Sequence, residues 1–285
     1  MSRIAYVNGQ YRPLSEPLIE VEDRGYQFAD AIYEVWGVEK GALLDNEGHF
    51  ARLERSLGEL KITPPLSRVA LMTILKEVQR RNRLRDGLLY LQISRGVAQR
   101  DHAFPAYARP VVVVTAKRVD PALVAARATS GIAVISVPET RWARCDIKSV
   151  GLLPNVLAKQ AAREAGAFEA WFVDADGFVM EGTSSNAWIV DSAGVLRTQP
   201  LSNRILHGVT RATLMRIAAE HQMKVEERPF TLAEALAARE AYISSATNAA
   251  IPVVRLDGRQ IGDGKPGPVA RALRDAYFGA ATAQG

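Results

Sequence analysis

Lys117-Arg118-Val119-Asp120-Pro121 interrupts an apolar strand with charge, ends on proline, and divides the 285-residue chain into two unlike parts. Proline lacks the amide proton that a ladder needs and restricts the residue before it, so the strand read from Val111 to Ala116 ends here. Working back, Leu88 to Ser94 reads as a second strand. Val69, Leu71, Ile74, Leu75 and Val78 recur at mostly helical spacing and predict a helix over 67–84, and another is expected over 49–60. Strands from Tyr33 to Val38 and from Ala42 to Leu44 turn at Lys40-Gly41. Ile4 to Val7 meets Asn8-Gly9, a dipeptide suited to the positive φ of a type I′ hairpin turn. Residues 1–119 therefore read as a small α+β domain.

Working forward, strand and helix alternate over 120–285. Ile132 to Val137 reads as a strand and Pro154 to Ala165 as a helix. Phe168 to Val173 with Phe178 to Met180 forms a hairpin around Asp174-Ala175-Asp176-Gly177. Val209 to Glu220 reads as a helix, and Tyr242 to Ser245 and Ile251 to Leu256 as strands.

Composition narrows the function classes. Thirty-six basic and 31 acidic residues give a net charge of +5, but the two signs are interleaved, so nucleic-acid binding is not expected. The densest basic run, Gln79 to Arg85, closes a helical pattern, where cations suit the dipole. One cysteine, Cys145, excludes an internal disulfide framework, and the four histidines show no metal-ligand spacing. No apolar run approaches the ~20 residues of a membrane span, and the start, MSRIAYVNGQY, lacks the apolar core of a signal peptide. A cytoplasmic protein without metal is expected.

Among eight lysines, Lys148 stands apart, in Arg141-Trp142-Ala143-Arg144-Cys145-Asp146-Ile147-Lys148-Ser149. A lysine partly desolvated near other cations loses proton affinity and becomes an amine nucleophile suited to Schiff-base chemistry. A salt bridge with Asp146 is the ordinary alternative. Met180-Glu181-Gly182-Thr183-Ser184-Ser185-Asn186 sets a carboxylate and a row of hydroxyls between strands. His207-Gly208-Val209-Thr210-Arg211 leads into a helix whose first free amides suit an anion. His49 and Arg52, three apart on a helix, share a face. Arg52 reads either as a phosphate fork or as a surface arginine. Arg100 and His102, two apart, project the same way if their loop is extended, and they suit a carboxylate unless the loop is merely solvated.

Several stretches in order, Glu22-Asp23-Arg24-Gly25-Tyr26-Gln27-Phe28, Arg144 to Ser149, Glu181 to Asn186 and Gly264-Lys265-Pro266-Gly267-Pro268, resemble the class IV, or fold-type IV, aminotransferases. Within them the resemblance is to the D-amino acid (D-alanine) branch, and it runs from about Tyr6 to about Phe278. It implies a small N-terminal α/β domain, 1–119, carrying a substrate-carboxylate loop, and a larger C-terminal α/β domain, 120–285, that binds the cofactor. Pyridoxal 5′-phosphate would lie in the cleft between them, in a homodimer. By position Lys148 would carry the cofactor and shuttle the substrate proton, and Glu181 would pair with the pyridine nitrogen. Leu206 would pack on the ring, and Ser184 and Ser185 would hydrogen-bond the cofactor. Arg52, the amides of Val209 and Thr210, and Ser245 and Thr247 would hold the phosphate. Ala246 stands where the family often has a hydroxyl, which leaves that contact to Ser245 or Thr247. Tyr33, with Arg100 and His102 of the other subunit, would trap the carboxylate of a D-amino acid, with 2-oxo acids as acceptors. Branched-chain L-amino acid and (R)-amine aminotransferases and aminodeoxychorismate lyase are the alternatives within the fold.

Overall fold

Asn8 and Gly9 take φ of 45° and 93°, the left-handed values that a tight hairpin needs, and β1 (Ile4–Val7) folds back as β2 (Gln10–Pro13). The computed structural model describes residues 3–16 and 19–282. The chain forms two units: Met1–Asp120 with Ile147–Gly151, and Pro121–Asp146 with Leu152–Gly285.

In the first unit α1 (Arg24–Phe28) precedes β3 (Ala31–Glu39) and the short β4 (Ala42–Leu43); α2 (Asn46–Glu59), α3 (Arg68–Arg81), β5 (Gly87–Ser94) and β6 (Val111–Arg118) follow. The sheet order is β2-β1-β6-β5-β3-β4, antiparallel throughout. Alternation along β5 buries Leu89, Leu91 and Ile93 against Phe50, Leu53 and Leu57 of α2 and Leu71, Leu75 and Val78 of α3. The five-residue α1 has no apolar period to predict it. Asp23 creates it by accepting the amides of Gly25 at 2.8 Å and Tyr26 at 3.3 Å.

The second unit begins with α4 (Pro121–Ser130), where the sequence predicts only a break. At a first helical position proline sacrifices no helical hydrogen bond, so it ends one strand and opens a helix. Then come β7 (Ile132–Pro138), α5 (Leu153–Glu164), β8 (Glu169–Val173), β9 (Val179–Gly182), β10 (Asn186–Val190) and β11 (Leu196–Thr198). After these lie α6 (Val209–Glu220), β12 (Val225–Glu227), α7 (Leu232–Ala237), β13 (Glu240–Ser245), β14 (Asn248–Leu256), β15 (Arg259–Gln260) and α8 (Pro268–Thr282). The mixed sheet runs β12-β11-β10-β13-β14-β7-β8-β9, with β15 beside β14. Trp171, Phe230, Ile243, Ile251 and Val253 pack its core, and Trp188 stacks on its cross-strand partner Tyr242 with centroids 5.4 Å apart. Among the described residues no helix is long and apolar enough to cross a membrane.

Ile147–Gly151, read from the sequence as part of the C-terminal domain, joins the first unit instead. Ile147 enters that unit's core, Ser149 pairs with Ile32, and the amides of Tyr33 and Val150 donate to the carbonyls of Lys148 at 3.0 Å and Ala31 at 3.1 Å. Backbone pairing to the start of β3 outweighs proximity along the chain.

Candidate active site

Lys148 is half-buried, and its own amide reaches Ser56 Oγ at 3.4 Å. Its Nζ lies 4.2 Å from the centroid of the Tyr33 ring, a face that attracts an ammonium. Tyr33 in turn stacks on Tyr90 at 5.4 Å and 27°. Burial, with Tyr33 adding, pushes the Tyr90 hydroxyl up to about 12. Asp146, the alternative partner for Lys148, takes the Arg144 guanidinium at 3.0 and 3.1 Å.

Arg52 is not a surface arginine. Period-two alternation puts Glu34 on the core face of β3 with Ile32 and Trp36, all fully buried. Arg52 Nε and Nη2 donate to the two Glu34 oxygens at 2.7 and 2.8 Å, and His49 Nδ1 lies 2.8 Å from Oε2. Burial alone would raise the Glu34 carboxyl, but the charge and hydrogen bonds of Arg52, joined by His49, overcome it and hold it at about 2. His49 is pushed below its ordinary value, chiefly by burial, which outweighs the pull of Glu34. Facing an acceptor-only carboxylate, His49 Nδ1 is the donor of this pair.

Arg100 and His102 lie exposed in the long connection between β5 and β6. Phe28 brings them together: Arg100 Cζ sits 4.7 Å from its ring centroid, and the His102 ring centroid is 5.4 Å away.

In the second unit three donors converge on the buried carboxylate of Glu181. Arg141 Nη1 donates to Oε1, Asn186 Nδ2 to Oε2 at 3.0 Å, and the Leu206 amide to both oxygens at 3.1 Å. Arg141 is itself gripped by Glu139 at 2.6 to 3.1 Å. Asn186 also donates to the Leu206 carbonyl at 3.1 Å and pairs in the sheet with Ser244, so one side chain fixes the approach to α6 against the end of β13. A Cβ on Gly208 would fall 2.0 Å from Asn186 Oδ1, which admits only glycine there. No side chain caps α6, whose first residues are Val209 and Thr210. Asn248 Nδ2 donates to Ser245 Oγ at 3.3 Å and Thr247 Oγ1 at 3.1 Å; a hydroxyl that accepts still has a proton to give.

Ser184 and Ser185 are occupied otherwise than expected. Both donate to the buried Glu169, at 3.3 and 3.1 Å, and Thr183 Oγ1 does so as well. With their protons directed there, the two serines offer acceptor oxygen to any other group.

A family model described as amino-transferase class IV matches residues 31–256, an interval that contains Lys148, Glu181 and the start of α6. The chain belongs to the class IV aminotransferases. This class IV aminotransferase is 41% identical to a D-alanine aminotransferase of Bacillus licheniformis over 94% of each chain. It is 37% identical to one of Staphylococcus haemolyticus over 95% of each. Among solved structures, a branched-chain amino acid aminotransferase of T.th. with pyridoxamine 5′-phosphate superposes with a TM-score of 0.90 at 26% identity, covering 100% of this chain and 96% of that one.

Aminotransferases of this class depend on pyridoxal 5′-phosphate, and the residues of this class IV aminotransferase fit that group. Taken unit by unit, the first offers a half-buried amine, and the second a buried carboxylate held by hydrogen-bond donors and a helix start without a side-chain cap, groups whose chemistry fits an aldehyde, a ring nitrogen and a phosphate. Sequence reasoning missed Glu34, Glu139, Arg141, Asn186 and Glu169 as parts of this machinery. Arg141 and Asn186 lie in stretches that the sequence singles out, and Glu34 gave a signal of its own, a carboxylate in phase with Ile32 and Trp36.

Proposed function

We propose that this aminotransferase exchanges the amino group of D-amino acids for the oxo group of 2-oxo acids, as in D-alanine plus 2-oxoglutarate giving pyruvate plus D-glutamate. The gathering of Arg100 and His102 on Phe28 carries the reading, because two cationic or donor groups side by side suit a carboxylate. The D-alanine aminotransferases among its relatives support it. It works as a cytoplasmic homodimer, with Tyr33 of one subunit and the Arg100 loop of the other binding the substrate carboxylate.

Pyridoxal phosphate supplies an aldehyde for the substrate amine and a ring that accepts the electrons of the broken Cα–H bond. Lys148 would hold the cofactor and take up the proton that leaves the substrate α-carbon. Glu181, anchored by Arg141, Asn186 and the Leu206 amide, would hold a proton on the ring nitrogen. Leu206 would pack on the ring. Arg52, its plane fixed by Glu34, would join the Val209 and Thr210 amides, Ser245 and Thr247 on the phosphate, and Ser184 and Ser185 would hydrogen-bond the cofactor.

A panel of single-turnover spectra tests this. D-alanine, D-glutamate or D-aspartate should bleach the visible band of the bound cofactor, and L-leucine and L-valine should not. Lys148→Ala should lose the band and its fixation by borohydride while remaining folded. Faster bleaching by L-leucine than by any D-amino acid would favour the branched-chain reading.

A further inference from the structure

The connection from Arg95 to Pro110 is long for a loop in a folded unit, and loops of that length with defined function are held by their own contacts. Here the holding group is a buried guanidinium. Arg24 of α1 is 3% exposed. Its Nε pairs with Asp30 Oδ2 at 2.9 Å, its Nη1 donates to the Asp101 carbonyl at 2.6 Å, and its Nη2 reaches the His102 carbonyl at 3.4 Å. One planar fork thus spans from a fixed carboxylate to the two backbone carbonyls that flank the His102 α-carbon. Asp30 is fixed in turn by Arg95, which donates to it at 2.7 and 2.9 Å and to the carbonyls of Leu60 and Lys61 at 2.7 and 3.2 Å. The helix supplies the rest. Phe28 lies between Arg24, 4.9 Å from its centroid, and Arg100, 4.7 Å away, and Gln27 Oε1 accepts from Arg100 Nη1 at 3.4 Å. The Arg24 amide donates to Gly96 O at 2.9 Å, and Asp23 pairs with Val97.

We propose that Arg24 is a positioning residue for substrate recognition: through its hydrogen bonds to the Asp101 and His102 carbonyls it holds the exposed Arg100 and His102 side chains in the arrangement that receives a carboxylate. The assignment rests on the reading of Arg100 and His102 as the carboxylate site. It also gives a physical role to the Glu22–Phe28 stretch, which the sequence marks as a signature without saying what it does. Lysine cannot replace this arginine, because a single ammonium that reaches Asp30 has no second arm for the loop carbonyls.

The test is Arg24→Lys, with Phe28→Leu as a second variant that leaves the ion pairs intact, each read by amide hydrogen exchange and by steady-state kinetics in the loaded enzyme. Exchange of the amides over 98–103 should quicken at least tenfold. KM for D-alanine should rise about tenfold with kcat changed less than twofold, the signature of weakened ground-state and transition-state binding alike. Added to Arg100→Ala, Arg24→Lys should raise KM no further. Unchanged exchange in Arg24→Lys overturns the proposal whatever Phe28→Leu shows, and so does a fall in kcat at constant KM. If the loop loosens but KM stays constant while Arg100→Ala does raise KM, the positioning role alone is wrong. If Arg100→Ala also leaves KM unchanged, the carboxylate reading of the loop has failed and takes the proposal with it.

Discussion

Glu34 occupies a strand position that alternation assigns to the core, and the protein keeps it there by placing a guanidinium and an imidazole on the facing helix. Its carboxyl is held at about 2 against an ordinary 4.5, so the unfolded chain binds its proton more readily than the folded one. The stabilisation is complete above about pH 4.5 and disappears as pH falls towards 2. At about 1.4 kcal/mol per unit it amounts to about 3 kcal/mol. His49, also pushed below its ordinary value, acts in the same direction and begins to cost stability as pH falls through 6.5. Denaturant unfolding of the wild type should therefore weaken with acid in both windows, and Glu34→Gln should start less stable and lose the slope between pH 4.5 and 2. An identical slope in the variant would remove Glu34 as its source. Lys148 and Glu181 could be singled out in the sequence as candidates because their local stretches carry the resemblance. Arg141 was quoted there without a role, since its partner Glu181 is 40 positions away and only the fold joins them.

At the scale of elements, the long periodic segments were readable and the short or borrowed ones were not. α2, α3, α5 and α6 follow apolar spacing, whereas α1 exists because Asp23 caps it and α4 because Pro121 opens it. Both depend on one residue's local chemistry and leave no period to detect. The start of α6 combines the two cases: the helix was legible, but the reason for Gly208 was not, because it lies in Asn186 on another element. Gly208→Ala drives a methyl into the Asn186 amide 2.0 Å away, so either Asn186 leaves Glu181 and Leu206 or the first turn of α6 moves. Each outcome disturbs the amides offered to phosphate. Titration of the apoprotein with pyridoxal phosphate should show Kd raised at least about tenfold, equivalent to about 1.4 kcal/mol, with helical circular dichroism retained. Wild-type affinity would show that the cradle lies elsewhere.

At the scale of the whole molecule, each unit, with its own sheet, carries part of the proposed residue set: Lys148, Tyr33 and Arg52 belong to the first, Glu181 and the α6 start to the second. The Arg100 loop also belongs to the first unit, yet the two side chains proposed to bind the carboxylate are exposed, which suits delivery to a second copy. In a closed two-fold dimer each site would then combine Lys148 of one subunit with Arg100 of the other. Arg100→Ala removes one member of a charge-assisted pair and should weaken D-alanine binding on the order of a hundredfold. Lys148→Ala should abolish turnover. Mixed under conditions of subunit exchange, the two defective proteins should form a hybrid in which one site carries both lesions and the other neither. Random pairing makes about half the dimers hybrid, so activity at D-alanine concentrations below the wild-type KM should recover to about a quarter of the wild-type value. Recovery has no other source, because each homodimer lacks one required group at both sites. If exchange is confirmed by mass and activity does not return, the loop serves the subunit that carries it, and the exposed face of Arg100 and His102 must be closed from within the same chain.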